Sequence, residues 1–213
     1  MREYIGKICM VLGGLLLVAA VALFTYNQIE NKKANRFSDD VLGILNQTVD
    51  GKLAEGIDEN AIYEEYQQVE ADIAAANKSE ELEPLRVMEI DGIEYVGTII
   101  VPSINIELPV ISEWDYDSLK KAPCRYNGTV AGKNLVICAH NYRSHFGGLK
   151  TLQEGDSVYF VDVDGYSNIY KVAGVEVLQP TAIEEMTESG YDLTLFTCTY
   201  GGRTRLAVRC SLL

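Results

Sequence analysis

The chain has 213 residues, with 31 acidic against 18 basic side chains and a formal net charge of -13. A surface this acidic repels phosphate backbones, so the composition excludes nucleic acid as a partner. Without an apolar N-terminal segment and the acidic linker after it, one domain of about 125 residues remains, a size that buries a single core.

The first predicted element is a membrane span at residues 8–26, nineteen residues without a charge. As a helix it is about 28 Å long, enough to cross the hydrocarbon core. Residues 20–22 read Ala-Val-Ala and leave open a cleaved signal peptide, but the apolar run exceeds the usual length of such a peptide. Basic residues flank both ends, so charge alone does not orient the span. We predict a short tail at 1–7 and a transmembrane helix at 8–26.

An acidic stalk is predicted at residues 27–86, which hold fourteen Asp or Glu against six Lys or Arg. Apolar residues at helical spacing predict two helices, 38–53 with Ser38 as N-cap and 58–77. Their apolar stripes are thin, so they can pack on the following domain or on each other. A spacer is the preferred interpretation, and a lid over the active site is the alternative.

Residues 87–213 contain many short strands separated by turn signals, with one apolar face per strand and few helical patterns. This pattern predicts a mainly β fold, an antiparallel β-barrel with short helices in its loops. The predicted hairpins pair 87–90 with 93–101 through Asp91-Gly92 and 157–163 with 166–172 through Asp164-Gly165, and the predicted short helices lie at 116–121 and 183–189.

A candidate site lies at the C-terminal end of the chain. Residues 192–198 and 205–213 alternate as strands and are joined by a tight connection, so a hairpin brings Arg205 close to Cys198. His140 ends another apolar run, 58 residues before this cysteine. A thiol nucleophile, a proton carrier and a cation for the oxyanion are the groups that cysteine acyl transfer requires.

Three sequence motifs resemble the sortase family of Gram-positive transpeptidases. The run Thr194-Leu-Phe-Thr-Cys198 is similar to the family signature Thr-Leu-x-Thr-Cys. Asn134-Leu-Val-Ile-Cys-Ala-His140-Asn141 resembles the strand that ends in the catalytic histidine, and 95–110 with 119–128 resemble the opening strands and the segment after them. The resemblance covers roughly 88–213 and implies an eight-stranded barrel, which assigns 87–213 to the catalytic domain.

The resemblance also implies a function. Cys198 attacks the Thr-Gly bond of an LPxTG-like C-terminal sorting motif to form a thioacyl enzyme, His140 protonates the leaving amine, and Arg205 holds the substrate and the oxyanion. Ala139 and Thr197 are expected beside the bound substrate. The acyl group passes to an amine of a peptidoglycan precursor or a pilin, without metal or organic cofactor. The resemblance also implies the location: the cell membrane, single-pass, with residues 1–7 as a cytoplasmic tail and the catalytic domain extracellular.

Several alternatives stay open on the sequence alone. Arg203 or Arg209 can replace Arg205 as the oxyanion residue. The class of sortase is not decided: Ala139-His140-Asn141 is closer to the class B histidine context, whereas the short connection at 179–192 leaves little room for the long class B helix and favours a housekeeping or class D-like enzyme. A membrane-tethered peptide-binding module without turnover, or a cysteine hydrolase, would keep the same residue types.

Other residues that could bind a metal or form disulfides are interpreted more simply. His145 lies in a polar loop and is expected to be exposed. Asp162 and Asp164 can be read as calcium ligands, as in some relatives, or as a solvated hairpin turn. Cys138 is expected near the site and Cys210 in the core. No zinc spacing and no disulfide framework are indicated.

Overall fold

A computed structural model of the chain describes residues 2–48 and 85–213. It contains one long helix, α1 (Arg2–Thr48), followed by a nine-stranded sheet with short helices in its loops. In chain order the later elements are β1 (Met88–Ile90), β2 (Ile93–Val101), β3 (Ile106–Ile111), α2 (Tyr116–Leu119), β4 (Cys124–Asn127), β5 (Leu135–Cys138), β6 (Ser157–Asp162), β7 (Ser167–Leu178), α3 (Ile183–Thr187), β8 (Leu193–Cys198) and β9 (Arg205–Leu212).

Eight of these strands close into a barrel. The order is β2-β3-β4-β5-β8-β9-β7-β6, and β6 pairs back with β2 to complete the ring, while β1 adds a hairpin strand to β2 outside it. The predicted eight-stranded barrel is therefore confirmed. It is not antiparallel throughout, because β3–β4 and β5–β8 are parallel pairs. β5 and β8 can pair in parallel because the connection between them, through β6, β7 and α3, is long enough to return the chain to the end of the barrel at which β5 begins.

The alternation of side chains gives the barrel two different faces. Leu195 of β8, Ile137 of β5 and Val208 of β9 point inward and are fully buried in the main core. Their neighbours in sequence point outward, where Cys138 and Phe196 belong to a second apolar cluster. The outer face of β4, β5, β8 and β9 is therefore partly apolar, unlike a fully solvated sheet surface.

The predicted hairpins and short helices are present, with different bounds. Asp91 and Gly92 both have positive φ, 53° and 75°, as a two-residue hairpin turn requires. β7 runs on to Leu178, six residues beyond its predicted end, because it pairs with β9 along that length. Asp115 caps α2 by accepting hydrogen bonds from two backbone N–H groups.

The stalk prediction is wrong about where its first helix begins. α1 is continuous from the apolar segment through Thr48, so Ser38 lies inside a helix and is buried. The reason is packing: Val41 and Leu45 insert into the outer apolar cluster of the barrel, beside Ile111 of β3, so the thin stripe has a partner. The predicted helix at 58–77 lies outside the described residues.

Candidate active site

The three predicted catalytic side chains lie in one row across three neighbouring strands. β5 and β8 pair in parallel with Cys138 opposite Phe196, and the N–H of Ala139 donates to the Phe196 carbonyl at 3.2 Å. Continuing that register places His140 opposite Cys198. On the other side of β8, Cys198 is the direct antiparallel partner of Arg205.

Strand parity places the row on the outer face of the barrel. Cys198 has the parity of Phe196, which packs against the outer cluster, whereas Leu193 and Leu195 point into the core. His140, Cys198 and Arg205 are each half-buried. In such a row the thiol can attack a carbonyl, the imidazole can carry a proton and the guanidinium can stabilise an oxyanion.

The structure separates the three candidate arginines. Arg205 donates from Nη1 to the carbonyls of Gly202 and Thr204, both at 3.2 Å, and so its guanidinium stays near the strand end. Arg203 lies before β9 in the exposed connection. Arg209 is four residues further along β9, opposite Thr194 rather than the cysteine.

Arg209 has a structural role instead. Only 3% of it is exposed, and it forms an ion pair with Glu176 at 2.6 Å. It also donates to the Glu185 carbonyl at 2.6 Å and to the Thr194 hydroxyl at 2.9 Å, and it approaches the Met186 carbonyl. These bonds attach α3 to the sheet and hold the Arg209 guanidinium against Glu176 and α3.

His140 is held in an environment that favours its neutral form. Burial, and secondarily the positive charge of Lys120, lower the pKa of its imidazole below the ordinary value. The Tyr142 ring stacks on the imidazole with centroids 4.8 Å apart. The N–H of Phe146 donates to the His140 carbonyl at 3.2 Å, which closes the loop after β5.

Comparison with known proteins supports the family that the motifs resemble. A family model described as "Sortase domain" matches residues 99–213. The chain belongs to the sortase family. It is 29% identical over 142 residues to "Sortase A" of Bacillus anthracis, across 63% of this chain and 67% of that protein.

Solved structures of sortases are similar in fold. Clostridium perfringens sortase C with the C-terminal cell wall sorting motif is 25% identical, with TM-score 0.53 over 82% of this chain and 96% of that one. Streptococcus pneumoniae sortase C is 24% identical, with TM-score 0.57 over the same shares. The similarity to the Streptococcus pneumoniae enzyme shows the barrel fold only, and the class of this sortase stays a prediction.

Ala139 and Thr197 lie inside the sortase barrel rather than on its outer face with Cys198. Both are at least 95% buried, and the Thr197 hydroxyl donates to the Ala139 carbonyl at 2.8 Å. Their side chains have the inward parity, opposite to that of Cys198. In the structure they therefore join β5 to β8, and contact with a substrate stays a prediction.

The prediction that His145 is exposed is wrong. The side chain is 0% exposed, and neither ring nitrogen completes a hydrogen bond with the residues that the structure describes. Burial, and then the nearby His140, lower its pKa to about 4, although the Lys121 backbone partly favours the protonated ring. Its loop is polar in sequence, but Tyr142 and Phe146 turn the loop inward, with the Tyr142 ring 5.5 Å from His145.

The described cysteines separate into one accessible thiol and three buried ones. Cys124, Cys138, Cys198 and Cys210 are all free, and only Cys198 is partly exposed. Burial, with a smaller contribution from Cys198, raises the pKa of Cys138 to about 12, and burial raises that of Cys210 to about 12. As expected, Cys138 lies near the site and Cys210 in the core. The buried thiols stay protonated and unreactive.

Sequence reasoning missed two apolar walls beside the candidate site. Trp114 contacts Tyr126, with ring centroids 5.4 Å apart, and Tyr126 meets Phe196 edge-on at 5.2 Å, two residues from Cys198. The aromatic pair in Trp114-Asp-Tyr116 was a signal that could have indicated this wall. α1 forms the second, with Phe37 packed against the same outer cluster.

The acidic turn after β6 is accounted for by hydrogen bonds. Asp162 accepts from the backbone N–H groups of Asp164 and Tyr166, each at 3.0 Å, and Asp164 pairs with Arg86 at 3.3 Å. Burial raises the pKa of the Asp162 carboxyl, with partial compensation from those N–H groups. These contacts match the hairpin interpretation rather than an open calcium site.

Proposed function

We propose that the chain is a membrane-anchored cysteine transpeptidase that cleaves an LPxTG-like sorting motif between Thr and Gly and transfers the acyl group to an amine. The observation that carries this proposal is the row of His140, Cys198 and Arg205 on the outer barrel face. Membership of the sortase family supports the reaction class.

In the first half-reaction, the Cys198 thiolate forms a bond to the threonine carbonyl carbon and Arg205 stabilises the oxyanion. The C–N bond then breaks, and the His140 imidazolium gives its proton to the departing amine. In the second half-reaction an amine attacks the thioester, His140 takes its proton, and Cys198 leaves as a thiolate. Because the pKa of His140 is lowered, the imidazolium is the minor form near pH 7.

The proposed partners follow from relatives. Clostridium perfringens sortase C was solved with a C-terminal cell wall sorting motif, and the structure of Streptococcus pneumoniae sortase C gave insight into pilin substrate specificity. For this chain we propose an LPxTG-like peptide as acyl donor and an amine from a peptidoglycan precursor or a pilin as acceptor.

The proposed location is the cell membrane, with a single span and the barrel outside. Among the described residues, one helix within Leu12–Gln47 is long and apolar enough to cross a membrane. Its apolar side chains stand free of the barrel core: Leu16, Val21 and Phe24 are each more than 60% exposed. Exposed apolar surface of this extent is stable in lipid and unfavourable in water.

The test uses the full chain in detergent micelles with a panel of LPxTG-like peptides and a small amine, with products followed by mass spectrometry. We expect an acyl-enzyme and an amine-ligated product, both lost in Cys198→Ala and retained in the control Cys138→Ala. Arg205→Ala should lower the rate by roughly 10²-fold or more, as loss of an oxyanion donor does, while Arg203→Ala should not. Hydrolysis alone would point to a hydrolase, and binding without an adduct to a peptide-binding module.

A further inference from the structure

The barrel contacts α1 immediately beyond its apolar part. Residues 12–29 are exposed, and α1 makes hydrogen bonds to the barrel at Asn31, whose Oδ1 accepts from the Ser144 N–H at 3.2 Å and the Ser144 hydroxyl at 2.7 Å. At 1.5 Å per residue, Asn31 lies about 7.5 Å along the helix axis from Tyr26, the last residue of the apolar run. The headgroup layer beside the hydrocarbon core is about 5–8 Å thick. With the proposed span ending at Tyr26, the Ser144 loop would lie at the height of the headgroups.

A second loop reaches the same end of α1. Lys120, just after α2, is close enough to Tyr26 and Glu30 for their charges to raise its pKa, after a larger effect from Asp117. The same two α1 residues also raise the pKa of Tyr142, after burial. The loops at 115–121 and 141–145 thus both lie where α1 leaves its apolar part, and both flank His140.

Basic side chains are concentrated there, in a chain whose net charge is -13. Against the acidic Glu30, Asp115 and Asp117, this region presents five exposed basic residues, which we call the basic surface: Lys32, Lys33, Lys120, Lys121 and Arg143. Lys33 pairs with Glu30 and Lys120 with Asp117. Lys121 and Arg143 are in no ion pair with any residue that the structure describes.

We propose that the basic surface rests on anionic headgroups of the membrane that holds α1. The inference depends on the membrane anchoring proposed above and adds a lipid-binding face to it. A cationic surface beside an apolar helix is attracted to anionic lipid within a Debye length, and here the helix supplies that proximity. The contact fixes the height of His140 and Cys198 above the bilayer, within reach of substrates anchored in the same membrane.

The test is lysine footprinting of the full chain. The protein is placed in nanodiscs of phosphatidylglycerol mixed with phosphatidylcholine, in phosphatidylcholine nanodiscs and in detergent micelles, then labelled briefly with a water-soluble amine-reactive ester. Lys133 is the internal control, because it is exposed and precedes β5 at the end opposite His140. We expect several-fold slower labelling of Lys120 and Lys121 in anionic discs only, with Lys133 unchanged.

Charge reversal gives a second measurement. Lys121→Glu with Arg143→Glu should remove the protection of Lys120 in anionic discs, whereas Lys133→Glu should leave it. Equal labelling in anionic and uncharged discs, or protection that survives the charge reversal, would overturn the proposal. Failure of the chain to enter nanodiscs would instead contradict the anchoring itself, so the two failures are distinguishable.

Discussion

Mild acid should destabilise this protein through one buried histidine. His145 is fully buried and its pKa falls from 6.5 to about 4 in the folded chain, because burial disfavours the charged ring. The unfolded chain binds a proton near pH 6.5, whereas the folded chain does not until about pH 4. The contribution of the neutral His145 to the free energy of unfolding is therefore fully present above pH 6.5 and is lost as the pH falls toward 4.

The size of the effect follows from the same two pKa values. One pKa unit corresponds to about 1.4 kcal/mol, so lowering the pH from 7 to 5 should cost about 2 kcal/mol of unfolding free energy. Complete loss below pH 4 would be about 3 kcal/mol. This is a large part of the stability of an ordinary domain, about 5–15 kcal/mol.

The assay is urea denaturation of the full chain in detergent at pH 7 and pH 5, followed by the fluorescence of Trp114, the single tryptophan. Carboxylates also titrate in this range, so the comparison is with His145→Phe, which keeps a buried ring without a titrating group. Between pH 7 and pH 5 the free energy of unfolding of His145→Phe should fall by about 2 kcal/mol less than that of the parent. His140→Ala should retain most of the dependence. An identical pH dependence in parent and His145→Phe would refute the reasoning.

Three further predictions concern the strand residue Gly97, the buried Arg209 and the pKa of His140. Gly97→Ala should lower the free energy of unfolding by about 3 kcal/mol or prevent folding, because φ is +152° and a Cβ would lie 2.1 Å from a β6 carbonyl oxygen. The control is Gly174→Ala, which has open space around the added Cβ and should give a normal thermal melt. Arg209→Met should lower the urea midpoint by the equivalent of about 2–3 kcal/mol, since buried acceptors lose their donor, and an unchanged midpoint would contradict this role. Lys120→Gln should raise the pKa of His140, seen as a shift of the pH–rate profile to higher pH that shrinks in high salt.

Local patterns in the sequence were sufficient to predict most strands and hairpins of the barrel and to indicate the family. Alternation predicted β8 and β9, and the glycine-containing turns predicted the hairpins, because side-chain parity and turn chemistry are local properties. The Thr-Leu-x-Thr-Cys motif identified Cys198 as the candidate nucleophile. The expectation that Arg205 lies beside it required only the short connection between two strands, and the structure has the two residues as direct partners.

What could not be predicted depends on contacts between distant segments. The burial of His145 arises from a loop that turns inward, and polar composition alone gave the opposite answer. The continuity of α1 depends on the apolar partner that the outer barrel face provides for Val41 and Leu45. The parallel pairing of β5 with β8 depends on a crossover of more than fifty residues, for which no local signal exists.

That parallel pairing also explains how the site is kept in register. Successive residues of a strand alternate between the core and the outer face of the barrel, so a slip of one residue would bury Cys198 and expose Thr197. The inward residues resist such a slip: Leu195 is fully buried, and the Thr197 hydroxyl is bonded to the Ala139 carbonyl. The same bond fixes the residue before His140. The threonine of the motif therefore contributes by holding the candidate nucleophile Cys198 and the His140 imidazole on one face of the barrel at neighbouring positions.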